Sequence, residues 1–268
     1  MRLASSSGAV SLLPHRRTDA SIEVSEKAGV RYLHFGSPWI QGAMRIARPW
    51  SLELEYTRDM MMALLLRPAK RWPKRVLLIG LGAASLVKFL YRNRPSSMLT
   101  VVEIDAAVVR AAVQFFRLPV DPRRIAIEIG DGHDFVAATD RGFDLILVDG
   151  FDAKSRTGKL DSLDFYRNCC ARLTGQGVLV ANFLNARRGL PQSLERMSEA
   201  FGGRAFALPH CASGNVIAVA ASGAPIALSL DGIRKSARRL QRESGLNLLP
   251  TLARLEQTQV AGSDQFAL

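Results

Sequence analysis

Cysteine is scarce in this chain. Its 268 residues include three, Cys169, Cys170 and Cys211, too few and too unevenly placed for a disulfide framework. Two are adjacent, and none stands at metal-ligand spacing from the four histidines, so no metal site is expected. The odd count and the absence of a signal-peptide pattern fit a reducing, cytoplasmic setting. Long apolar runs are missing too. The longest, Val76 to Val87, is broken by Gly80 and Gly82, which excludes a membrane span there. The opening MRLASSSGAVSLLPHRR has no such stretch either. Aromatic residues make up only 7%, and no block of five like charges occurs. The formal net charge of +12 admits an anionic partner such as nucleic acid. The Lys and Arg residues are scattered, however, as on solvated faces.

What the chain does have is hydrophobic residues, at 48%, enough for one large domain with a small appendage. Residues 1–20 read as a flexible tail. Residues 21–70 read as a small β unit with a linking helix. The stretch 21–55 alternates in polarity, with turn chemistry at Lys27-Ala28-Gly29 and Gly36-Ser37-Pro38, and a helix is expected over Tyr56 to Leu66. From 71 to 225 strands and helices alternate. Strands are expected at 76–80, 98–104, 125–130, 143–149, 177–183, 204–208 and 215–221. Helices are expected near 85–92, 106–116, 133–138, 162–173 and 191–200. Such alternation predicts an α/β fold with a mostly parallel sheet. Only Pro209 to Gly214 separates the last two strands, too short for a crossover, so that pair should be a hairpin. The plan is a Rossmann-like, methyltransferase-type sheet of about seven strands with an antiparallel last strand. Residues 226–268 should form a helical tail. In it Arg234, Arg238 and Arg242 fall on one face of Leu230 to Ser244, a solvated stripe or an anion-binding face.

Candidate chemistry gathers at the carboxyl ends of the strands, where open α/β sheets bind ligands. Gly80-Leu81-Gly82 joins the first strand to a helix and lets the backbone approach a ligand. No Gly-Lys-Ser/Thr follows, so the loop suits an adenosyl sulfonium better than a triphosphate. Glu103 ends the second strand, 21 residues after Gly82, where an acid accepts from ribose hydroxyls. Asp105 is more simply a helix cap. Asp131 and Gly132 end the third strand. Asp131 can accept from an adenine amine, or cap the helix beginning at His133, or both. His133 has no evident partner. Asp149 ends the fourth strand and Asp152 follows it. That pair can orient an ammonium and accept its proton as a general base. Metal binding is the lesser alternative, since no histidine or third acid lies nearby in sequence.

With these pieces in order, the sequence resembles the polyamine aminopropyltransferase (spermidine/spermine synthase) family over roughly residues 30–225. The resemblance rests on YTRDMM, VVEID, the GDG of Gly130 to Gly132, the D-x-x-D of Asp149 to Asp152, and FYRNCCARLTGQGVLVAN. It implies decarboxylated S-adenosylmethionine as co-substrate and a small-molecule amine such as putrescine as acceptor. It also implies a homodimer and no metal. It assigns Glu103 to the ribose and Asp131 to the adenine. Asp149 would deprotonate the acceptor, Asp152 would hold its distal amine, and Tyr56 would help place it. The chain departs from the family in two places. Ala83 stands where the glycine loop normally carries an acid, and the loop after Asp152 reads AKSRTGKL, with Lys154, Arg156 and Lys159. Two other functions remain: an S-adenosylmethionine-dependent methyltransferase, mildly favoured by Ala83, and a non-catalytic nucleotide-binding homologue.

Overall fold

The computed structural model describes residues 22–36, 39–67, 69–150, 158–183, 189–258 and 265–268. The tail expected at 1–20 lies outside them. At the centre is a seven-stranded sheet. The strands are β4 (Arg75–Ile79), β5 (Met98–Glu103), β6 (Ile125–Ile129), β7 (Phe143–Val148), β8 (Leu173–Phe183), β9 (Ala205–Ala207) and β10 (Val216–Ala221). Their spatial order is β6-β5-β4-β7-β8-β10-β9. The first five in that order are parallel to one another, and β10 runs antiparallel to both β8 and β9. The short link after β9 forces the reversal, as its length predicts. The reversed strand does not lie at the edge but inserts between β8 and β9.

The apolar strand runs are apolar because both faces are covered. Val76, Leu78, Val101, Leu147, Val180 and Val219 pack on one face, and Leu77, Ile79, Val102, Ile146, Val148 and Leu179 on the other. The covering helices are α3 (Ser85–Asn93), α4 (Ala106–Phe115), α5 (Gly132–Ala138), α6 (Leu163–Arg172) and α7 (Leu190–Ala200). Strand β8 begins at Leu173 rather than at the expected Gly177, because Leu173 already pairs with Phe143 of β7 ahead of the apolar run.

Before this sheet, β1 (Ile22–Lys27), β2 (Val30–Phe35) and β3 (Gly42–Arg45) form an antiparallel three-stranded sheet. Ala28 and Gly29 both take positive φ in the tight turn joining β1 to β2, as two-residue hairpins demand. The helix expected over Tyr56 to Leu66 is two pieces, α1 (Glu55–Met60) and α2 (Ala63–Leu66). Between them Met61 and Met62 donate only to Arg58 and Asp59, three residues back, so the chain tightens there while burying both methionines.

The C-terminal segment is richer than one helix. Strand β11 (Ala227–Ser229) pairs with β12 (Gln265–Ala267), and α8 (Leu230–Ser244) is followed by α9 (Leu249–Thr258). Arg234, Arg238 and Arg242 are exposed on α8, opposite buried Ile233, Ala237 and Leu240. Helix α9 crosses to α1. Thr251 Oγ1 donates to Asp59 Oδ1 at 2.6 Å, and Arg254 reaches Glu55 and Asp59. Among the described residues no helix is long and apolar enough to cross a membrane.

Candidate active site

The site grows from the neighbouring carboxyl ends of two parallel strands, β4 and β7. Gly80 follows β4 with φ +91°, and a Cβ there would lie 2.3 Å from the carbonyl oxygen of Asp149. Only glycine fits so tight an approach. The two ends are also tied by a hydrogen bond from Asp149 N to the Ile79 carbonyl at 2.9 Å. Next in the loop, Leu81 N donates to Glu103 Oε2 at 2.8 Å, and Asp105 N donates to Oε1 at 3.0 Å. Glu103 is 7% exposed. Burial pushes its pKa up, and the backbone N–H groups of Leu81, Asp105 and Ile104 oppose the rise without cancelling it. A carboxylate carries about four lone-pair sites, so acceptor capacity remains for a ligand.

Asp105 caps α4 by accepting from Ala107 N at 2.7 Å. Asp131 caps α5 by accepting from His133 N at 2.8 Å. Gly132 presses on the end of β4, where a Cβ would meet Ile79 Cγ2 at 2.3 Å. His133 does have partners. Its Nδ1 lies 2.9 Å from Asp134 Oδ1, and its ring stacks on Phe165.

At the other end Asp149 is held by side chains. Tyr56 OH donates to Oδ2 at 3.1 Å, and Asn182 Nδ2 donates to Oδ1 at 2.8 Å. Burial raises the Asp149 pKa, and these two neutral donors oppose the rise. Burial, reinforced by the neighbouring carboxylate, pushes the Tyr56 phenol well above its ordinary value, so it stays a donor. Behind Asn182 the chain of contacts continues. Asn215 Nδ2 donates to Asn182 Oδ1 at 3.0 Å, and Ser213 Oγ donates to Asn215 Oδ1 at 2.6 Å.

Tyr56, Gly80, Gly82 and Asp149 line one cleft together with Gln41 and Ala83. Asp149 is the only carboxylate lining it among the described residues. The N-terminal sheet forms its wall. A Cβ on Gly42 would stand 2.6 Å from Ala83 Cβ, and Ser85 Oγ donates to the Ala43 carbonyl at 3.1 Å. Glu103 and the Asp131-Gly132 pair adjoin the same glycine loop and strand end. Asp152, Lys154 and Arg156 lie outside the described residues. Lys159 is exposed, with Nζ 3.9 Å from Asp134 Oδ1. Among the described residues no three His, Cys, Asp or Glu side chains converge as a metal centre needs.

Sequence reasoning does not single out Gln41, Asn182 or Asn215 as site residues. A signal exists for Asn182: an amide inside the apolar run GVLVANF must find a partner when buried.

A family model described as the spermine/spermidine synthase domain matches residues 54–201. The chain belongs to this family. It is therefore a transferase, and the match spans Tyr56, the glycine loop, Glu103, Asp131, Asp149 and Asn182. A polyamine aminopropyltransferase of Chromobacterium violaceum is 35% identical over 90% of this chain and 92% of its own length. That of Neisseria meningitidis serogroup B is 30% identical over 96% and 97%. Among solved structures, a probable spermidine synthase from Corynebacterium glutamicum superposes with a TM-score of 0.69 at 20% identity, covering 85% of this chain and 92% of that one. A spermidine synthase solved with the transition-state analogue AdoDATO gives 0.62 at 21%, covering 87% and 84%. At such identities the superpositions speak to the fold, and they agree on the methyltransferase-like α/β architecture.

Proposed function

We propose that this family member transfers an aminopropyl group from decarboxylated S-adenosylmethionine to a small amine such as putrescine. One observation carries the reading. A half-buried carboxylate, Asp149, is held by two neutral donors against the glycine loop, with room on each oxygen for a further hydrogen bond. The names of the curated relatives support it, as does the AdoDATO bound to a structural neighbour.

In this reading Glu103 accepts from the ribose hydroxyls with its remaining lone pairs, and Asp131 accepts from the adenine amine. Gly80 and Gly132 keep the walls low beneath the nucleotide. The acceptor arrives mostly as an ammonium, and Asp149 orients it and takes one proton. The freed nitrogen lone pair attacks the carbon beside the sulfonium sulfur. The C–S bond breaks, its electron pair stays on sulfur, and methylthioadenosine leaves. Tyr56 steadies the Asp149 oxygen that faces α1, and Asp152 would hold the acceptor's far amine. Positioning supplies most of the acceleration. Because a protonated Asp149 cannot take the amine's proton, activity should fall as pH drops through its raised pKa.

Ala83 favours a second reading. It offers no charge to a donor's ammonium, so a methyl donor would fit as well. Incubation with putrescine and either decarboxylated or ordinary S-adenosylmethionine separates the two. The expected nucleoside product is methylthioadenosine from the decarboxylated donor. S-adenosylhomocysteine as the sole product would replace the proposal with methyl transfer.

A further inference from the structure

We propose that Asn182 and Asn215 are positioning residues, two amides in series that hold the Asp149 carboxylate in its proton-accepting form. Ser213 Oγ donates to Asn215 Oδ1 at 2.6 Å. Asn215 presents Nδ2 to Asn182 Oδ1, 3.0 Å away. Asn182 presents its own Nδ2 to Asp149 Oδ1 at 2.8 Å, and because an ionised carboxylate only accepts, this end sets the direction of both amides. The Cys211 thiol, 3.0 Å from Ser213 Oγ, is left to donate into the start of the series. Asn182 and Asn215 are each 4% exposed, so water offers neither amide another partner. Turning Asn182 over would set oxygen against oxygen at Asp149 and nitrogen against nitrogen at Asn215, and turning Asn215 over would set oxygen against oxygen at Asn182.

The chemical consequence falls on Asp149. Its surroundings disfavour charge, and Tyr56 and Asn182 are the donors that oppose this. Asn182 therefore acts on the reacting proton through the carboxylate, and Asn215 acts through Asn182 from the residue before strand β10. Neither is among the residues lining the cleft. The other ionisable groups around this cluster are Tyr56 on α1, Glu55 paired with Arg254, and Glu103 across the glycine loop. His210 and Cys211 lie on the β9–β10 turn, where Ala212 N donates to Glu55. All of them stay in place in the test.

The inference rests on the proposed proton-acceptor role only for its kinetic arm. In protein labelled with ¹³C at aspartate Cγ, the Asp149 signal is assigned by its loss in Asp149→Asn and followed against pH. Asn182→Leu removes the donor, Asn215→Asp turns the Asn182 amide over, and Ser213→Ala removes the hydroxyl at the far end of the series. Ser213 is exposed on a turn, so that last variant keeps the experiment readable if a buried substitution fails to fold. The Asp149 midpoint should rise by about one pH unit or more in Asn182→Leu and Asn215→Asp, and by less in Ser213→Ala. The Asn215→Asp shift should shrink in the Asn182→Leu background, since a direct charge effect would persist there. The acid limb of kcat/KM should move with the midpoint, whereas a merely structural role would lower the whole profile in place. An unchanged midpoint in folded variants overturns the inference. A shifted midpoint in a protein that transfers no aminopropyl group sinks the proposed reaction and leaves the amide series standing.

Discussion

At one end of the candidate site, beside the glycine loop, Glu103 and Asp131 are held by backbone N–H groups. Asp131 accepts from a residue two positions ahead, and Glu103 from Asp105 and the adjoining glycine loop. At the other end Asp149 is held by side chains 93 and 33 residues away in sequence, Tyr56 and Asn182. Helix α1, which carries Tyr56, is itself anchored to α9 through Glu55 and Asp59. The Glu103–Asp131 end is thus local, built from turn and cap geometry that any strand–helix unit supplies. The Asp149 end is assembled from α1, β8, the residue before β10 and α9. A site of the first kind survives remote changes, while one of the second kind is exposed to them.

The largest effect should come from Asp149→Asn. It should lower kcat by about 10²–10⁴-fold, the range for a positioned general base, with methylthioadenosine affinity little changed by calorimetry. Lost affinity with retained turnover would reverse the roles of the two ends. Arg254→Ala comes next. It strips the charged partner from Asp59, whose side chain is 3% exposed, and should cost about 3 kcal/mol in denaturant unfolding. Its kcat should fall while nucleoside affinity holds in the folded fraction. Equal loss of both would mean that the two ends are not separately supported. Glu103→Gln should weaken adenosyl-ligand binding by about 1–3 kcal/mol, the scale of a charge-assisted hydrogen bond, with unfolding barely affected. Unchanged affinity would remove Glu103 from the proposed nucleotide contacts. The smallest effect should be Asp131→Ala, about 1 kcal/mol of stability from the lost cap of α5, read as a lower unfolding midpoint. If it also weakens adenosyl binding, Asp131 serves both as cap and as ligand contact.

The same division explains what could be read from the chain. Gly80, Glu103 and Asp131 sit where strand-end chemistry announces them, because a buried apolar run ends at a glycine or an acid. The caps at Asp105 and Asp131 follow from residue type alone. The breaks at Met61 and Met62 were hidden, since three consecutive methionines suit a continuous buried helix equally well. The contact between α9 and α1 was hidden for another reason. Thr251 and Arg254 read as ordinary helix residues, and nothing local points to Glu55 and Asp59 nearly two hundred positions earlier.

By itself the sequence determined the alternating strands and helices, the reversed last strand and the acids at the strand ends. Hydrophobic period, turn residues and link length act over a few neighbours, so each leaves its mark in the chain. Only the tertiary structure decided that β10 inserts beside β8, bringing Asn215 against Asn182 and Asn182 against Asp149. That pairing depends on which buried polar atoms find partners once the sheet has closed, and hydrogen bonds between remote side chains leave no period in a sequence.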